Sequence, residues 1–430
     1  MKKILYVVLD GLGDDKIPEL ENKTPLEAAH TPNMDKLAEG GKCGLMYTVG
    51  KGIAPESDIA VISILGYDAK RYYTGRGPLE SYASGLSVND GDLAYRVNFA
   101  TLGEGRDLKD RRVGRNLKTD EAKALSDEIN SKVKLESVPA SFQFKSTVGH
   151  RGVLVIRAEG AKLSACVTNT DPAYEKEGPF GVAKEKYEMK LQVCRPEPHC
   201  KDNEAAIKAA KLTNEFIEKS TKVLNESEIN KRRINQGLLP ANVILTRDAG
   251  DRLPKMPSMK DKFGVNMGCF VQMPVEEGIA MLTGMTPVES PKADTMEKTY
   301  RFWAEKILEV ISDFDGLYIH IKGPDEPAHD GDYLKKKEII ELIDRVFFEP
   351  LLRNITLDDF ILTVTADHST SCMKKAHTDK PVPLLIVGGS IDKDDIETFG
   401  EEECARGKIG TISGPELMPL LVSCAKGECR

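Results

Sequence analysis

Acidic and histidine side chains follow three short apolar segments of the chain, at the point where each segment ends. The segments are "ILYVVL", "LYIHI" and "FILTV", and the side chains are Asp10, Asp325, His329, Asp367, His368 and His377. Carboxylate and imidazole ligands together suit borderline divalent ions such as Mn, Zn or Co. Each fragment alone is also typical of a helix cap or a polar turn. Their convergence predicts a metal site.

Ser57 lies in "APESDIAV", between two acids and directly before an apolar run. One interpretation is an N-cap, since serine is favoured at that position. The other is a nucleophile for phosphoryl transfer, because a helix N-terminus and a metal both stabilise its alkoxide and attract anions. This stretch alone leaves both interpretations open.

The elements that must position these side chains are strands and helices in alternation. Short apolar runs predict strands at 4–9, 317–321, 360–364 and 383–387, and three- and four-residue spacing predicts helices at 295–314 and 333–355. Alternation of this kind is typical of an α/β protein with a parallel sheet. Ligands of such sheets gather at the carboxyl ends of the strands, so the acids are expected at one edge.

The middle of the chain has a different pattern. It contains alternating segments such as "GHRGVLVIRAEG" and a long charged helix predicted at 203–224. A chain of 430 residues also exceeds the usual size of one hydrophobic core. We therefore predict a discontinuous α/β domain at 1–88 and 256–430, with an inserted α+β domain at 89–255.

The composition and net charge of the chain limit the kinds of partner that it is expected to bind. Acids outnumber Lys and Arg 68 to 60, which gives a net charge of -8, and no basic block is present to bind nucleic acid. No segment approaches the roughly 20 apolar residues of a membrane-spanning helix. The nine cysteines are scattered, so free thiols in a reducing cytoplasm are expected. His199 and Cys200, in "EPHC", are not expected to bind a metal without further ligands nearby in the sequence.

A set of motifs runs along nearly the whole chain: "VVLDGLGD", "TPLEAAHTPNMDKLAEGG", "SDIAVISILGYDAKRYYTGRGPLE", "AYRVNFATL", "DRRVGR", "GHRGVLVI", "NTDPAY", "KGPDEPAHDGD", "VTADHSTS" and "KAHTDKPVPLLI". In this order the set resembles the alkaline phosphatase superfamily, and within it the archaeal-type cofactor-independent phosphoglycerate mutases. The resemblance implies an α/β alkaline-phosphatase-like core with a mostly parallel sheet and helices on both faces. It also implies a smaller inserted α+β domain that binds substrate.

The resemblance implies roles for particular residues. Ser57 matches the serine that is transiently phosphorylated. One divalent metal would be bound by Asp325, His329 and His377, and the other by Asp10, Ser57, Asp367 and His368. In the inserted domain, His150 and Asp171 match polar groups that reach the substrate. Arginines expected to bind phosphate or carboxylate are Arg111, Arg112, Arg115 and Arg247, although the first three could also form a solvated basic loop.

The implied activity is interconversion of 3-phosphoglycerate and 2-phosphoglycerate in glycolysis and gluconeogenesis. It would use two divalent metal ions (Mn, Mg, Zn or Co) and no 2,3-bisphosphoglycerate, and its partner would be a small phosphorylated carboxylate. The native metal and the oligomeric state are left open.

Two alternatives remain at this point. The same site could serve a phosphatase or phosphotransferase, such as the homoserine-kinase-like relatives. A silent phosphometabolite-binding protein is the other alternative, because relatives often carry a lysine where this chain has Glu277. Lys262 and Lys322 are candidate substitutes for that lysine.

Overall fold

The computed structural model describes residues 1–177, 180–184, 186–291, 294–389 and 391–429. The chain divides into two compact units: unit 1 comprises Met1–Tyr72 and Lys255–Arg430, and unit 2 comprises Tyr73–Pro254. Unit 2 thus begins at 73 rather than at the predicted 89. The helix Arg76–Ala83 accounts for the difference, because it packs on strands of unit 2.

The first part of unit 1 contains two strands and four helices. They are β1 (Lys3–Leu9), α1 (Pro25–Ala28), α2 (Pro32–Glu39), β2 (Lys42–Tyr47), α3 (Ser57–Ile64) and α4 (Ala69–Tyr72). A 3-10 turn at Pro18–Leu20 precedes α1.

Unit 2 is an α+β unit. Its elements are α5 (Arg76–Ala83), β3 (Leu93–Leu102), β4 (Leu108–Asp110), α6 (Thr119–Lys132), β5 (Ala140–Ser146), β6 (Arg151–Ala158), β7 (Tyr174–Glu177), β8 (Phe180–Ala183), α7 (Glu204–Glu226), α8 (Glu228–Asn235) and β9 (Val243–Gly250). Short 3-10 turns lie at Val113–Arg115 and Pro198–Cys200.

The second part of unit 1 completes the α/β architecture. Its elements are α9 (Met259–Phe263), β10 (Met267–Phe270), α10 (Pro274–Leu282), β11 (Thr286–Pro287), α11 (Met296–Val310), β12 (Gly316–Ile321), α12 (Asp325–Asp330), α13 (Tyr333–Ile343), α14 (Glu349–Asn354), β13 (Phe360–Thr365), β14 (Ser369–Ser371), β15 (Ala376–Thr378), β16 (Val382–Val387), α15 (Glu401–Cys404), β17 (Gly410–Ser413) and α16 (Gly414–Ala425). Irregular turns lie at Ile311–Asp313, Asp344–Phe348 and Leu357–Asp359.

The main sheet of unit 1 has eight strands in the order β11-β10-β12-β1-β13-β16-β2-β17. Its pairings are parallel except those of β16, which runs antiparallel to both β13 and β2. The predicted strands at 4–9, 317–321 and 360–364 are therefore confirmed as parallel neighbours. The parallel orientation expected for 383–387 is wrong. Every residue from Ile4 to Leu9 is fully buried, which explains why the run is apolar without alternation.

Unit 2 forms a five-stranded antiparallel sheet with its own core. The order is β4-β3-β6-β5, and β9 pairs with the other side of β3. Phe99 and Phe144 of the sheet meet edge to face with ring centroids 5.5 Å apart, and Phe144 lies 5.9 Å from Phe216 of α7. This cluster fixes the long helix predicted at 203–224 against the sheet.

Four cysteines form disulfides, Cys166–Cys200 and Cys424–Cys429, while five others in the described chain are free and buried. The expectation of free thiols throughout is therefore wrong. The paired Cα atoms lie 6.2 and 4.5 Å apart, within the range that a disulfide spans. Among the described helices, none combines the length and the apolarity that crossing a membrane requires.

Candidate active site

Strand register brings the predicted acids of unit 1 to one edge of the sheet. Central strand β1 pairs Leu9 with Ile321 of β12 and Val8 with Thr365 of β13. The next residues of the three strands therefore leave the sheet together. They lead to Asp10, Asp325 and Asp367, as the alternation of strands and helices predicts.

Gly11 lets the three loops approach one another. It has a left-handed backbone with φ of 64°, and a Cβ there would lie 2.8 Å from the Cβ of Asp325. Its N–H donates to Asp367 Oδ1 over 3.1 Å. Only glycine provides both this conformation and this space, so the "DGLG" turn is needed to gather the carboxylates.

Two histidines aim at the same point beside Asp325. His329 Nδ1 lies 3.1 Å from the carbonyl oxygen of Lys375, and His377 Nδ1 lies 2.8 Å from that of Pro55. Carbonyl oxygens only accept, so we assign the ring protons to Nδ1. The two Nε2 atoms then face each other over 3.1 Å, and both lie within 3.5 Å of Asp325 Oδ1. Facing lone pairs repel, so this arrangement favours a cation between them.

His368 is oriented in a similar way, but it faces a second group of predicted metal ligands. Its Nδ1 lies 3.0 Å from Thr370 Oγ1, whose hydroxyl donates to Asp325 Oδ1 over 2.7 Å. Its Nε2 is thereby left to face Asp10 Oδ1 at 3.4 Å, Asp367 Oδ2 at 3.2 Å and Ser57 Oγ at 3.1 Å. Anchoring one ring nitrogen to orient the other is typical of metal-binding histidines.

Ser57 is the first residue of α3, and the N-cap is Glu56. The N-cap interpretation of Ser57 is therefore wrong. The serine hydroxyl instead contacts His368, beside the first turn of the helix. Its backbone position still places it in the positive field of the helix N-terminus.

Buried polar atoms in this site lack partners. Within the described residues, Asp10 Oδ1, Asp367 Oδ2 and His320 Nε2 make no hydrogen bond. Burial raises the pKa of Asp10 well above its ordinary value, with the charge of Asp367 adding to the effect. Burial also opposes ionisation of Asp367, whereas a protonated His368 beside it would hold its pKa well below the ordinary range. Buried carboxylates and imidazoles with free acceptor atoms fit a divalent cation.

Lys322 supplies a cation next to Asp10. Its Nζ lies 2.9 Å from Asp10 Oδ2 and 2.8 Å from Glu276 Oε1, and Glu276 is buried. Glu277, which was aligned with the lysine of relatives, is only partly buried, and burial raises its pKa. Lys262 contacts the carbonyl oxygen of Gly66 and the ring of Tyr67 instead. Of Lys262 and Lys322, the two candidates to replace the lysine of relatives, Lys322 is the one that lies beside a predicted metal ligand, Asp10.

Two residues of this region were not predicted as site residues. His320, a buried residue within β12, lies 3.7 Å from Asp367 Oδ2, and its Nδ1 contacts the hydroxyl of Tyr318. Burial and the charge of Lys322 lower its pKa to about 4, so the ring is neutral. Its signal in the sequence is a polar residue within an apolar strand, a pattern that is equally typical of a structural histidine.

Lys336 is the other residue that was missed. It is fully buried in α13, and its Nζ donates to Gly13 O at 3.0 Å, Asp14 Oδ2 at 2.9 Å and Thr370 O at 2.9 Å. It thereby joins the loop after β1 to the loop after β13. A lysine in the amphipathic pattern "YLKKKEII" gave no signal that it faces inward.

In unit 2, two predicted arginines converge on Asp171. Arg111 donates two parallel hydrogen bonds to it, 2.7 Å from Nε to Oδ1 and 2.9 Å from Nη2 to Oδ2. Arg247 Nη1 lies 3.5 Å from Asp171 Oδ2, and its guanidinium carbon lies 4.1 Å from the ring centroid of Tyr174. Asp171 is thus an ion-paired anchor for two arginines that the fork geometry suits to anions.

Further arginines enlarge this cluster. Arg96 of β3 pairs directly with Arg247 of β9 across the sheet, and Glu80 Oε1 lies 3.4 Å from Arg96 and 2.6 Å from Arg76. Like charges directly opposite on two strands are destabilising. Arg76 and Arg96 were present in the quoted motifs "GRGPLE" and "AYRVNFATL" but were not identified as binding residues.

His150 lies in the same positive field. Burial, followed by the charges of Arg151, Arg112, Arg247 and Arg115, lowers its pKa to about 4. The ring is therefore neutral near pH 7. Arg112 is partly buried and Arg115 is exposed, and neither has a side-chain ion pair described here. Their expected role in binding stays a prediction.

Comparison with known proteins identifies the family of this chain. A family model described as 2,3-bisphosphoglycerate-independent phosphoglycerate mutase matches residues 38–230. A protein of that name from Aeropyrum pernix is 42% identical over 432 residues, covering 99% of this chain and all of the relative. A cofactor-independent phosphoglycerate mutase from Thermoplasma acidophilum superposes with a TM-score of 0.65 at 32% identity, with coverage of 99% and 100%. A Pyrococcus horikoshii protein reaches a TM-score of 0.80 at 30% identity, with coverage of 100% and 98%.

Proposed function

The chain belongs to the 2,3-bisphosphoglycerate-independent phosphoglycerate mutases, isomerases that interconvert 3-phosphoglycerate and 2-phosphoglycerate, and we propose that it works by two phosphoryl transfers through Ser57. The observation that carries the proposal is the position of Ser57 Oγ. It lies at a helix start, 3.1 Å from His368 Nε2, beside Asp10 and Asp367, each of which has one oxygen without a hydrogen-bond partner.

We further propose two divalent ions, with Mn²⁺ as the first to test. One would be held by Asp325, His329 and His377, and the other by Asp10, Ser57, Asp367 and His368. When bound, such ions neutralise phosphoryl oxygens and favour the serine alkoxide. The orphaned acceptors and facing imidazoles described above support this assignment, and no 2,3-bisphosphoglycerate is required in the scheme.

The first transfer forms a bond between Ser57 Oγ and phosphorus while the bond from phosphorus to the 3-oxygen of the substrate breaks. The proton that Ser57 Oγ loses passes through solvent to the departing 3-oxygen, which becomes the 3-hydroxyl of glycerate. The N-terminus of α3 and the ammonium of Lys322 favour the negative charge on the transferring group. The products of this step are phosphoserine and glycerate.

The second transfer reverses the chemistry at a different oxygen. The 2-hydroxyl of glycerate attacks the phosphoserine, loses its proton and releases Ser57. We propose that Asp171 or His150 assists this proton transfer, which returns a proton to Ser57 Oγ. His150 is neutral near pH 7, whereas both oxygens of Asp171 accept from Arg111 in this structure. Arg111, Arg247, Arg112 and Arg115 are proposed to bind the substrate anion.

The test is a product assay with purified protein, Mn²⁺ and 3-phosphoglycerate. We expect 2-phosphoglycerate without release of inorganic phosphate, and acid quenching should trap phosphate on Ser57. Stoichiometric phosphate release would indicate a phosphatase, and transfer only to an added alcohol would indicate another phosphotransferase. Binding of 3-phosphoglycerate without turnover would indicate a silent binding protein, and each of these results would overturn the proposal.

A further inference from the structure

Cys166, His199 and Cys200 form a second cluster of metal-ligating side chains, in unit 2. One ligand atom of each lies within 4.8 Å of the others, and His199 Nε2 is 3.2 Å from Cys166 Sγ. The sulfurs of Cys166 and Cys200 are joined in a disulfide. None of these residues belongs to the catalytic scheme above.

The backbone holds this cluster together without help from the disulfide. Glu197 N donates to Cys166 O over 3.0 Å, and Thr168 N donates to Arg195 O over 2.8 Å. Cys200 N closes the 3-10 turn by donating to Glu197 O over 2.7 Å. The two chain segments therefore stay aligned when the sulfur–sulfur bond is broken.

The Cα atoms of the two cysteines lie 6.2 Å apart, a distance compatible with either a disulfide or a shared metal. Two thiolates on a tetrahedral zinc ion lie about 3.8 Å apart, given a Zn–S bond of about 2.3 Å. Rotation of the two side chains reaches that separation. A cavity of about 460 Å³ borders Cys166, His199 and Glu197, and leaves room for a fourth ligand.

We propose that Cys166, His199 and Cys200 form a redox-controlled zinc site. With both thiols reduced, each loses its proton and Zn²⁺ binds two thiolates and His199, with water or the Glu197 carboxylate in the fourth position. On oxidation by an external disulfide, Cys166 and Cys200 form one sulfur–sulfur bond. The two thiolates give two electrons to the external disulfide, which takes two protons from solvent and is cleaved to two thiols. The zinc ion is then released.

The test uses cobalt(II) as the probe, because thiolate ligation gives a charge-transfer absorption in the near ultraviolet that oxygen and nitrogen ligands do not. The full-length protein is stripped of metal, and one sample is reduced while another is oxidised with glutathione disulfide. We expect one thiolate-bound cobalt per chain in the reduced sample and none in the oxidised sample. Added zinc should displace the cobalt and raise the unfolding temperature of the reduced protein.

Variants C166S, C200S and H199A provide the comparison. C166S and C200S should each weaken the absorption, the double variant C166S/C200S should lose it, and H199A should weaken cobalt binding. C194A is the matched control, since Cys194 is a buried free thiol of the same unit. It should keep the absorption, and mutase activity with Mn²⁺ checks that every variant is folded.

Absence of the absorption in the reduced wild-type protein would overturn the proposal and leave a purely structural disulfide. Its persistence in the double variant C166S/C200S would also overturn the proposal, because the thiolate would then belong to another site. Neither outcome depends on the catalytic scheme, whose proposed ligands include no cysteine.

Discussion

Two charged regions of this protein have opposite imbalances. The unit 1 region has an excess of hydrogen-bond acceptors, and the unit 2 region has an excess of positive charge. The sheet edge of unit 1 collects carboxylates and imidazoles whose acceptor atoms outnumber their donors, whereas the sheet of unit 2 sets Arg96 directly opposite Arg247. Either arrangement costs folding free energy when left alone. A cation would relieve the first and an anion the second, so the charge imbalance supports the kind of ligand proposed for each region.

The largest effect is expected at the nucleophile of the unit 1 region. S57A should lower mutase activity at least about 10³-fold, as loss of a covalent nucleophile does, while Mn²⁺ binding persists through the remaining ligands. Steady-state rates and equilibrium dialysis measure the two properties. S63A, in the same helix, is the matched control. Unchanged activity of S57A would remove Ser57 from the mechanism.

A smaller effect is expected from Lys336, which joins two loops of the same region. K336M should lower Mn²⁺ affinity about 10- to 100-fold, because the loops that carry the ligands lose their shared anchor. It should also cost about 3–5 kcal/mol of stability, since the buried carboxylate of Asp14 loses its cation. Denaturant titration and metal titration check both effects.

The control for Lys336 is K335M, which changes an exposed neighbour paired with Glu338. Metal affinity should be measured well below the unfolding temperature, so that loss of fold is not mistaken for loss of binding. Wild-type Mn²⁺ affinity in folded K336M would contradict the positioning role.

In the unit 2 region, the substitution R247M should impair use of 3-phosphoglycerate without a matching loss of stability. We expect kcat/KM for 3-phosphoglycerate to fall about 10- to 100-fold, as loss of a charge-assisted hydrogen bond does. Stability should change by no more than about 1 kcal/mol, because removal of the like-charge pair with Arg96 offsets loss of the ion pair with Asp248, and Asp171 keeps Arg111. R252M, an exposed arginine paired with Asp251, is the control for both measurements. Equal losses in the two variants would contradict specific anion binding.

The last prediction concerns pH and a carboxyl group that is not among the proposed ligands of either region. Burial, reinforced by the charge of Glu27, raises the pKa of Glu401 from 4.5 to about 7. The folded protein then binds this proton more tightly than the unfolded chain does, so stability should fall as pH rises from about 4.5 to about 7. The slope is at most about 1.4 kcal/mol per pH unit.

E401Q should remove this contribution, and denaturant titrations between pH 4.5 and 7 measure it. E402Q, which changes an exposed neighbour paired with Lys16, should leave the pH dependence in place. An identical pH profile in E401Q and the wild-type protein would show that Glu401 titrates normally.

Much of the unit 1 site could be predicted from the sequence, since an acid that follows a buried strand has a position fixed by the topology of a parallel sheet. Asp10, Asp325 and Asp367 meet for that reason. Lys336 and His320 could not be found in this way, because their roles depend on which way a helix or strand side chain faces. The antiparallel direction of β16 is likewise set by pairing with β2, a distant partner.

The unit 2 cluster was harder to predict. Its arginines are scattered over five elements and loops, and only strand register makes Arg96 and Arg247 neighbours. The Cys166–Cys200 disulfide was missed for a related reason, since 34 residues separate its ends in sequence. Local patterns carry no information on such pairs.

The position of β1 between β12 and β13 also has a consequence for biosynthesis. Ile4 pairs with Gly316 and Ile361, so this strand leaves the ribosome roughly 300 residues before either neighbour exists. At about 5–20 residues per second, that delay is roughly 15 to 60 seconds. Unit 2 is continuous and can fold during the interval, while the apolar N-terminal strand stays exposed. Chaperone dependence and aggregation of nascent chains should therefore centre on the first ten residues, and translation speed should affect the yield of active enzyme more than its final stability.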